Sequence, residues 1–420
     1  MLSGYRSPPI IHLFLRRTEE LCNDQRTITN MSEESVQRDA SAETARVHHS
    51  SSHGCENDDR KKVLIIYTGG TMGMKKDEGG ALIPVKGYLL EQIAAMPEVR
   101  NEEMPLYDII EFERLIDSSC MGPNEWIKIA VEIEKGYLHY DGFVVIMGTD
   151  TMAYAASALS FMLENLGKTV VFTGSQIPFF EVYNDARRNL IVSMIFAASS
   201  FDIPEVCLCF NDRLLRASRA MKVNSIGLAA FDSPNFPPLA TLGAFIDVQR
   251  DLILPPPRGP LRVNKLLVSA VLVVRLVPGF DDEALLSLVN STSSLRCLIF
   301  ELYGTGNGPS KGMLLRAIEV SKSKGIMVVV VSQCVKGGVS LDTYNMGKEF
   351  KNAGVISAGD MTTEACVTKL AYLLGRYKDS AIVRSLIQTP MRGELTAGDR
   401  MITNAYFQRD PIALALRAKL

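Results

Sequence analysis

Two glycine-threonine turns and one lysine carry most of the chemistry this chain has to offer. Thr68-Gly69-Gly70-Thr71-Met72-Gly73 and Gly148-Thr149-Asp150-Thr151 each follow an apolar run. Glycines at such a place let the backbone turn with positive φ and let a ligand approach the main chain, which suits phosphates and carboxylates equally. The spacing is not that of a dinucleotide fingerprint, and no Lys-Ser/Thr pair follows as a P-loop demands. A threonine hydroxyl is a weak nucleophile until a base takes its proton. Histidine is nearly excluded as that base, because His12, His48, His49 and His53 precede residue 60 and leave only His139, which reads as a surface residue at a helix end. A Ser/His/Asp triad or a multi-histidine metal site would have to be built around one imidazole. The base must therefore be a carboxylate, a lysine or water. Lys222 closes the basic stretch 210–222, after the apolar run Val206 to Phe210, and could reach back over the same edge. Each feature also has a plain structural reading: Thr and Asp are ordinary helix caps, and a lysine in a basic loop is an ordinary solvated charge.

The elements that must position these residues are short apolar runs alternating with helical stretches. Val63 to Tyr67, Phe143 to Met147 and Val170 to Phe172 are continuous apolar strands, the last ending in Thr173-Gly174-Ser175, with helices expected over Met152 to Leu166 and Asp185 to Ala198. Continuous apolar strands alternating with helices imply a parallel sheet covered on both faces. In a doubly wound sheet of that kind, ligands bind beyond the carboxyl ends of the strands, where the threonine turns fall and converge. The expected organisation is a disordered polar extension over 1–60, a larger doubly wound α/β domain over 61–254 and a proline-rich linker over 255–265. A smaller parallel-sheet α/β domain over 266–420 then carries the apolar strands Val268 to Val274, Cys297 to Glu301 and Ile326 to Val331. Hydrophobic residues at 47% and charged residues at 22% are the balance of a soluble globular chain. A formal charge of −2 gives no global field for nucleic acid or an anionic membrane, and the apolar runs fall short of the roughly 20 residues a spanning helix needs. Eight cysteines without a CxxC pair, among them Cys207 and Cys209 on one face of a strand, read as buried reduced thiols and suggest the cytosol.

The motifs taken together resemble the asparaginases of the bacterial type, particularly the cytoplasmic type I branch. The likeness rests on TGGTMG at 68–73, DSSCMGPNEW at 117–126, MGTDT at 147–151, FNDRLLRASRAMK at 210–222 and YGTGNGP at 303–309, in order, over roughly residues 61 to 390. It implies an L-asparagine amidohydrolase that needs no metal or cofactor and assembles as a homodimer or homotetramer. By the same resemblance Thr71 is the nucleophile, and Thr149, Asp150 and Lys222 form the second catalytic group. Asp117, Ser118 and Ser119 match the segment that holds the α-carboxylate, Asp150 also matches the holder of the α-ammonium, and Asn307 matches an asparagine reaching in from a neighbouring subunit. These residue types suit a zwitterionic amino acid, which needs donors for its carboxylate and an acceptor for its ammonium.

Some positions depart from the pattern. Cys120 stands where the branch commonly has aspartate. The loop Lys75 to Pro84 lacks the tyrosine that bacterial members place there, which turns attention to Tyr88 and Tyr344. Animal members resembling this chain also lack it and use a tyrosine of the second-domain segment, so the resemblance implies a role for Tyr344, while Tyr88 reads as packing. Ser332, Gln333 and Cys334 match the strand end of a type I effector site, but Glu301 falls where an arginine would grip the effector carboxylate. Three other readings share the pocket: a glutaminase-asparaginase, a tRNA-dependent amidotransferase subunit and a non-catalytic amino-acid sensor.

Overall fold

The computed structural model describes residues 44–49, 59–310 and 312–396. The larger sheet is built from β1 (Thr44–His49), β2 (Lys62–Tyr67), β3 (Leu106–Phe112), β4 (Gly142–Ile146), β5 (Thr169–Thr173), β6 (Val206–Phe210), β7 (Arg213–Arg216), β8 (Ala240–Leu242) and β9 (Ile246–Val248). Its spatial order is β1-β3-β2-β4-β5-β6-β7-β8-β9. The strands from β3 through β6 pair in parallel and those from β6 to β9 antiparallel. From β2 the chain moves to β3 on one side and then crosses to β4 on the other. The order therefore reverses between β2 and β4, whose last paired residues are Tyr67 and Ile146. Both glycine-threonine turns leave from that reversal, the place where an open α/β sheet forms its crevice.

Both faces of this sheet are covered because its central strands are continuously apolar over Val63 to Tyr67, Phe143 to Ile146 and Val170 to Phe172. Leu64, Ile66, Phe143 and Val145 pack against α2 (Pro123–Gly136) and α3 (Met152–Met162), while Val63, Ile65, Tyr67, Val144 and Ile146 pack against α1 (Tyr88–Ala95) and α4 (Ala186–Ala197). Cys207 and Cys209 are buried together in the second of these cores, and both are free thiols. In α3 every residue but Tyr154 is buried. A helix apolar all round needs packing on all sides, and α3 finds it between the large sheet and the second domain. Its alanines at 153, 155, 156 and 158 keep the neighbouring elements close.

The second domain is a parallel four-stranded sheet in sequential order, β10 (Val271–Arg275), β11 (Cys297–Leu302), β12 (Met327–Ser332) and β13 (Ile356–Ser357). Helices α5 (Asp282–Ser291), α6 (Gly312–Ser323) and α7 (Asn345–Asn352) contribute to one of its cores, and α8 (Thr363–Arg376) with α9 (Ser380–Ile387) to the other. Helix α8 packs along α3, where Ser157 and Thr368 share a hydrogen bond of 2.8 Å and the Tyr372 hydroxyl donates to Glu164 at 2.8 Å.

Three expectations need adjustment. The first helix after the Gly148 turn stops at Met162, because Leu163–Glu164 turns into a short strand that pairs with Arg262–Val263. That pairing ties the end of the expected linker to the first domain, while the proline run 255–260 carries no regular structure. Most of the expected extension lies outside the described residues, but β1 is regular backbone within it. An edge strand is held by main-chain hydrogen bonds and needs no hydrophobic period, so the sequence pattern does not announce it.

Candidate active site

Glycine lets the three turns at the sheet's reversal point touch. Thr68 follows β2 with its amide and hydroxyl both donating to the Ile146 carbonyl of β4, at 3.0 and 3.2 Å, while its own carbonyl accepts from the Ile116 amide. Gly69 and Gly70 then take φ of 130° and 94°. A Cβ on Gly70 would lie 2.5 Å from the Gly148 Cα and would overlap the Gly148 nitrogen; one on Gly69 would overlap the Ile116 backbone. A Cβ on Gly148 would lie 2.6 Å from the Ser118 hydroxyl. Side chains at these glycines would push the turns apart. As folded, Thr71 and Thr149 each follow a glycine at the point of backbone contact. Thr71 opens a single 3-10 turn, Thr71–Gly73, and is half-buried.

Lys222 reaches this point from a short strand beyond β7. Its ammonium donates to the Thr149 hydroxyl at 2.8 Å and to Asp150 Oδ1 at 2.6 Å. The Asp150 side chain is 69% exposed, so this ion pair contributes little, about 0–1 kcal/mol. The buried Thr149 hydroxyl is the better-defined anchor. That hydroxyl in turn donates to Gln176 Oε1 at 3.2 Å, and the Gln176 amide donates to the Asp185 carboxylate. Gln176 and Asp185 thus belong to the site's support although neither stands out in the sequence; the signal for Gln176 is its place directly after Thr173-Gly174-Ser175, a third turn at the same sheet edge. The segment before Lys222 is fixed by Arg219, which is 2% exposed and donates to the Gly393 carbonyl at 2.6 Å, Asp360 Oδ2 at 2.8 Å and Thr396 Oγ1 at 3.1 Å. Ser218 adds a bond to the Arg392 carbonyl. Burial alone would raise the Asp360 carboxyl, but the Arg219 charge and the hydrogen bonds from Thr396 and Arg219 hold it below the usual carboxylate range.

The segment at 117–120 forms the third wall. Asp117 caps a 3-10 turn, Ser118–Cys120, by accepting from the Ser119 amide at 2.8 Å. Ser118 is buried against Gly148, its carbonyl accepts from the Thr151 hydroxyl at 2.6 Å, and Asp117, Ser119 and Cys120 are exposed. One locus therefore offers hydroxyls on Ser118, Thr71 and Thr149, an amine on Lys222 and a carboxylate on Asp150. Hydroxyls and turn amides can hold a carboxylate, the aspartate can hold an ammonium, and the Lys222–Thr149 bond can carry a proton. Among the described residues, no group of three or more His, Cys, Asp or Glu is placed to hold a metal ion. None of the described helices is long and apolar enough to cross a membrane.

The remaining expected residues lie in the second domain. Asn307 closes the turn Tyr303–Asn307 and accepts from the Gly308 amide through its side chain. Tyr344 is 49% exposed in the position that precedes α7. Tyr88, by contrast, is 5% exposed at the start of α1 with the Lys75 ammonium 4.0 Å from its ring centre, as a packing residue should be. Glu301 faces Arg275 across the sheet at 3.2 Å and accepts from the Thr363 hydroxyl at 2.7 Å. Gln333 Nε2 donates to the carbonyls of Glu301 and Leu276, and Ser332 donates to Gly304. Cys334, beside them, is exposed, and its amide donates to the Ser332 hydroxyl. Glu301, Ser332, Gln333 and Cys334 thus meet at the carboxyl ends of β11 and β12.

Comparison with known proteins matches two family models: the N-terminal asparaginase domain over residues 62–254 and the C-terminal glutaminase/asparaginase domain over 270–387. The chain is 43% identical over 343 residues to L-asparaginase 1 of Escherichia coli (strain K12), covering 81% of this chain and 99% of that protein. It is 39% identical over 358 residues to a 60 kDa lysophospholipase of Homo sapiens, covering 80% of this chain and 62% of that longer protein. Among solved structures, L-asparaginase I from Vibrio cholerae O1 biovar eltor superposes with a TM-score of 0.73 at 41% identity, over 80% of this chain and all of that one.

Proposed function

The chain belongs to the asparaginase family, and from that premise we propose that it hydrolyses the side-chain amide of L-asparagine to L-aspartate and ammonia through an acyl-enzyme ester on Thr71. It is an amidohydrolase by family and fold. The observation that carries the residue assignment is the Lys222–Thr149 hydrogen bond of 2.8 Å, placed one residue beyond the Gly70–Gly148 contact that delivers Thr71. In this reading Ser118 and the turn amides around it hold the α-carboxylate, and Asp150 accepts the α-ammonium. Lys222, in its neutral form, takes the proton of Thr149, whose oxygen takes the proton of Thr71 as the Thr71 oxygen adds to the amide carbon; the relay then returns that proton to the amide nitrogen. Backbone amides of Gly148 to Asp150 receive the developing oxyanion, because donors fixed in place before the charge develops need no reorganisation. Ammonia leaves, and a water molecule activated by the same Thr149–Lys222 pair releases aspartate.

Asn307 reaches the site from the second domain of a neighbouring copy in a homo-oligomer, and Tyr344, in the second-domain segment, serves the active site. Glutamine is the competing substrate. One methylene is worth only about 1–3 kcal/mol, so selectivity rests on how closely Ser118 and Asp150 hold the backbone end of the substrate relative to Thr71. A second asparagine acts as effector at Glu301, Ser332, Gln333 and Cys334. Support comes from Arg275, whose guanidinium pairs with Glu301 at 3.2 Å and so cancels the charge that would repel an effector's carboxylate. The enzyme works in the cytosol, where the thiols Cys207, Cys209, Cys297 and Cys366 stay reduced. The test is ammonia release from L-asparagine and L-glutamine side by side over a wide concentration range. The reading expects asparagine to have the higher kcat/KM and a sigmoidal rate curve. Faster turnover of glutamine would replace the substrate, a hyperbolic curve would remove the effector site, and no turnover of either would leave a sensor.

A further inference from the structure

Beneath the Thr71 turn lies a buried phenol. Tyr67 is the last residue of β2, four positions before Thr71, and is fully buried. Its hydroxyl lies so close to Gly73, the end of the Thr71–Gly73 turn, that a Cβ on that glycine would overlap it. This buried hydroxyl has no hydrogen-bond partner among the described residues. Most buried polar groups are satisfied, so an orphan under a reactive turn calls for a cause.

The register supplies a partner. Tyr67 is paired with Glu111 across β2 and β3, and in a parallel pair such residues point to the same face. Glu111 is 4% exposed, and both its oxygens accept from the Gly87 amide, at 3.0 and 3.1 Å. Gly87, at φ 78°, is the residue from which α1 starts. Between Gly73 and Gly87 runs the hairpin Met74–Lys76 with Leu82–Pro84, which follows the nucleophile directly. The Thr71 turn and the far end of the hairpin therefore stand over one buried phenol and one buried carboxylate. Burial, and then the Glu111 charge, raise the Tyr67 phenol above its usual value and keep its proton available for donation. An ionised carboxylate has about four acceptor sites, so Glu111 can take a second donor besides Gly87.

We propose that Tyr67 is a positioning residue for Thr71: when substrate draws the nucleophile turn and its hairpin inward, the Tyr67 hydroxyl donates to Glu111 and holds Thr71 at the amide carbon. The inference rests on Thr71 being the nucleophile.

The test is Tyr67→Phe, which deletes only the hydroxyl, with Thr71→Ala assayed beside it. We expect an unchanged or higher melting temperature for Tyr67→Phe without substrate, kcat reduced at least tenfold and KM within twofold of wild type. Glu111→Gln should also lower kcat, and the double variant should be no slower than Tyr67→Phe alone, because both changes break one interaction. Wild-type kcat in Tyr67→Phe overturns the proposal, as does a fall in kcat accompanied by a lower melting temperature, which marks a packing role. Independent, multiplying losses in the double variant would overturn the pairing with Glu111. Turnover by Thr71→Ala would instead overturn the nucleophile assignment, so the two failures are distinguishable.

Discussion

Replacing Gly70 by alanine should both destabilise the protein and disable it, and the size of each effect follows from backbone geometry. Gly70 adopts φ 94° and ψ 173°, a region that is essentially glycine's alone and costs another residue about 1–3 kcal/mol. The new methyl would also meet the Gly148 backbone, with the Cα at 2.5 Å, and forcing an atom into packed surroundings costs about 1–3 kcal/mol more. Together these give about 2–6 kcal/mol, a loss of about 4–24 °C in melting temperature at about 2–4 °C per kcal/mol for chains of a few hundred residues. The relief available is to move the Thr71 turn away from the Thr149 turn. A displacement of about 1 Å at a reacting centre can cost 100-fold in rate. Gly80 is the internal control: its φ is 84°, yet a Cβ there has nothing within 4 Å. Gly80→Ala should lose about 1–2 kcal/mol of stability from its backbone conformation and keep its kcat. Calorimetry and ammonia release on the same preparations check both. A Gly70→Ala protein with wild-type melting and kcat, or two variants that behave alike, would refute the argument that backbone contact sets the two threonines.

Lys222→Met should lower kcat by about 100- to 10,000-fold with little change in KM, as expected for a lost proton carrier, and stopped-time ammonia assays with saturating asparagine would read it. A change confined to KM would reassign the lysine to binding. Tyr344→Phe should reduce kcat at least tenfold while Tyr88→Phe, altering a packed ring under Lys75, should do little; the reverse ranking would assign the phenol to Tyr88 at the start of α1. Asp360, held below the usual carboxylate range by Arg219 and its hydrogen bonds, contributes stability above its unfolded value of about 3.9 that is lost as pH falls through its lower folded value. Wild type should therefore melt above Asp360→Asn at pH 6 to 7, with the gap closing below about pH 4. A pH-independent gap would show that the carboxylate's charge is not what matters.

The parts read well from sequence were those fixed by period and by glycine. Unbroken apolar runs such as Phe143 to Met147 announce strands covered on both faces, and glycines followed by threonine at their ends announce the crevice. Lys222 could be placed near Thr149 only by supposing that the basic stretch folds back over the sheet, as it does. What escaped the reading depends on partners distant in the chain. Gln176, Asp185 and Arg219 look like ordinary loop and helix residues until their bonds to Thr149, the Gln176 amide and the 391–396 segment are seen. Tyr67 reads as one more apolar strand residue, because nothing local marks its hydroxyl as idle or sets it beside Glu111, 44 positions away. Glu301 looked like a charge in the wrong place, and its neutralisation by Arg275 depends on strand register that composition does not carry.

The most direct test is mass spectrometry of the intact enzyme, acid-quenched during turnover of L-asparagine, followed by peptide mapping. An aspartyl ester localised to Thr71, absent from Thr71→Ala and lost when substrate is exhausted, is the predicted result. An adduct on Thr149 or elsewhere, or ammonia release by Thr71→Ala at the wild-type rate, would contradict the account.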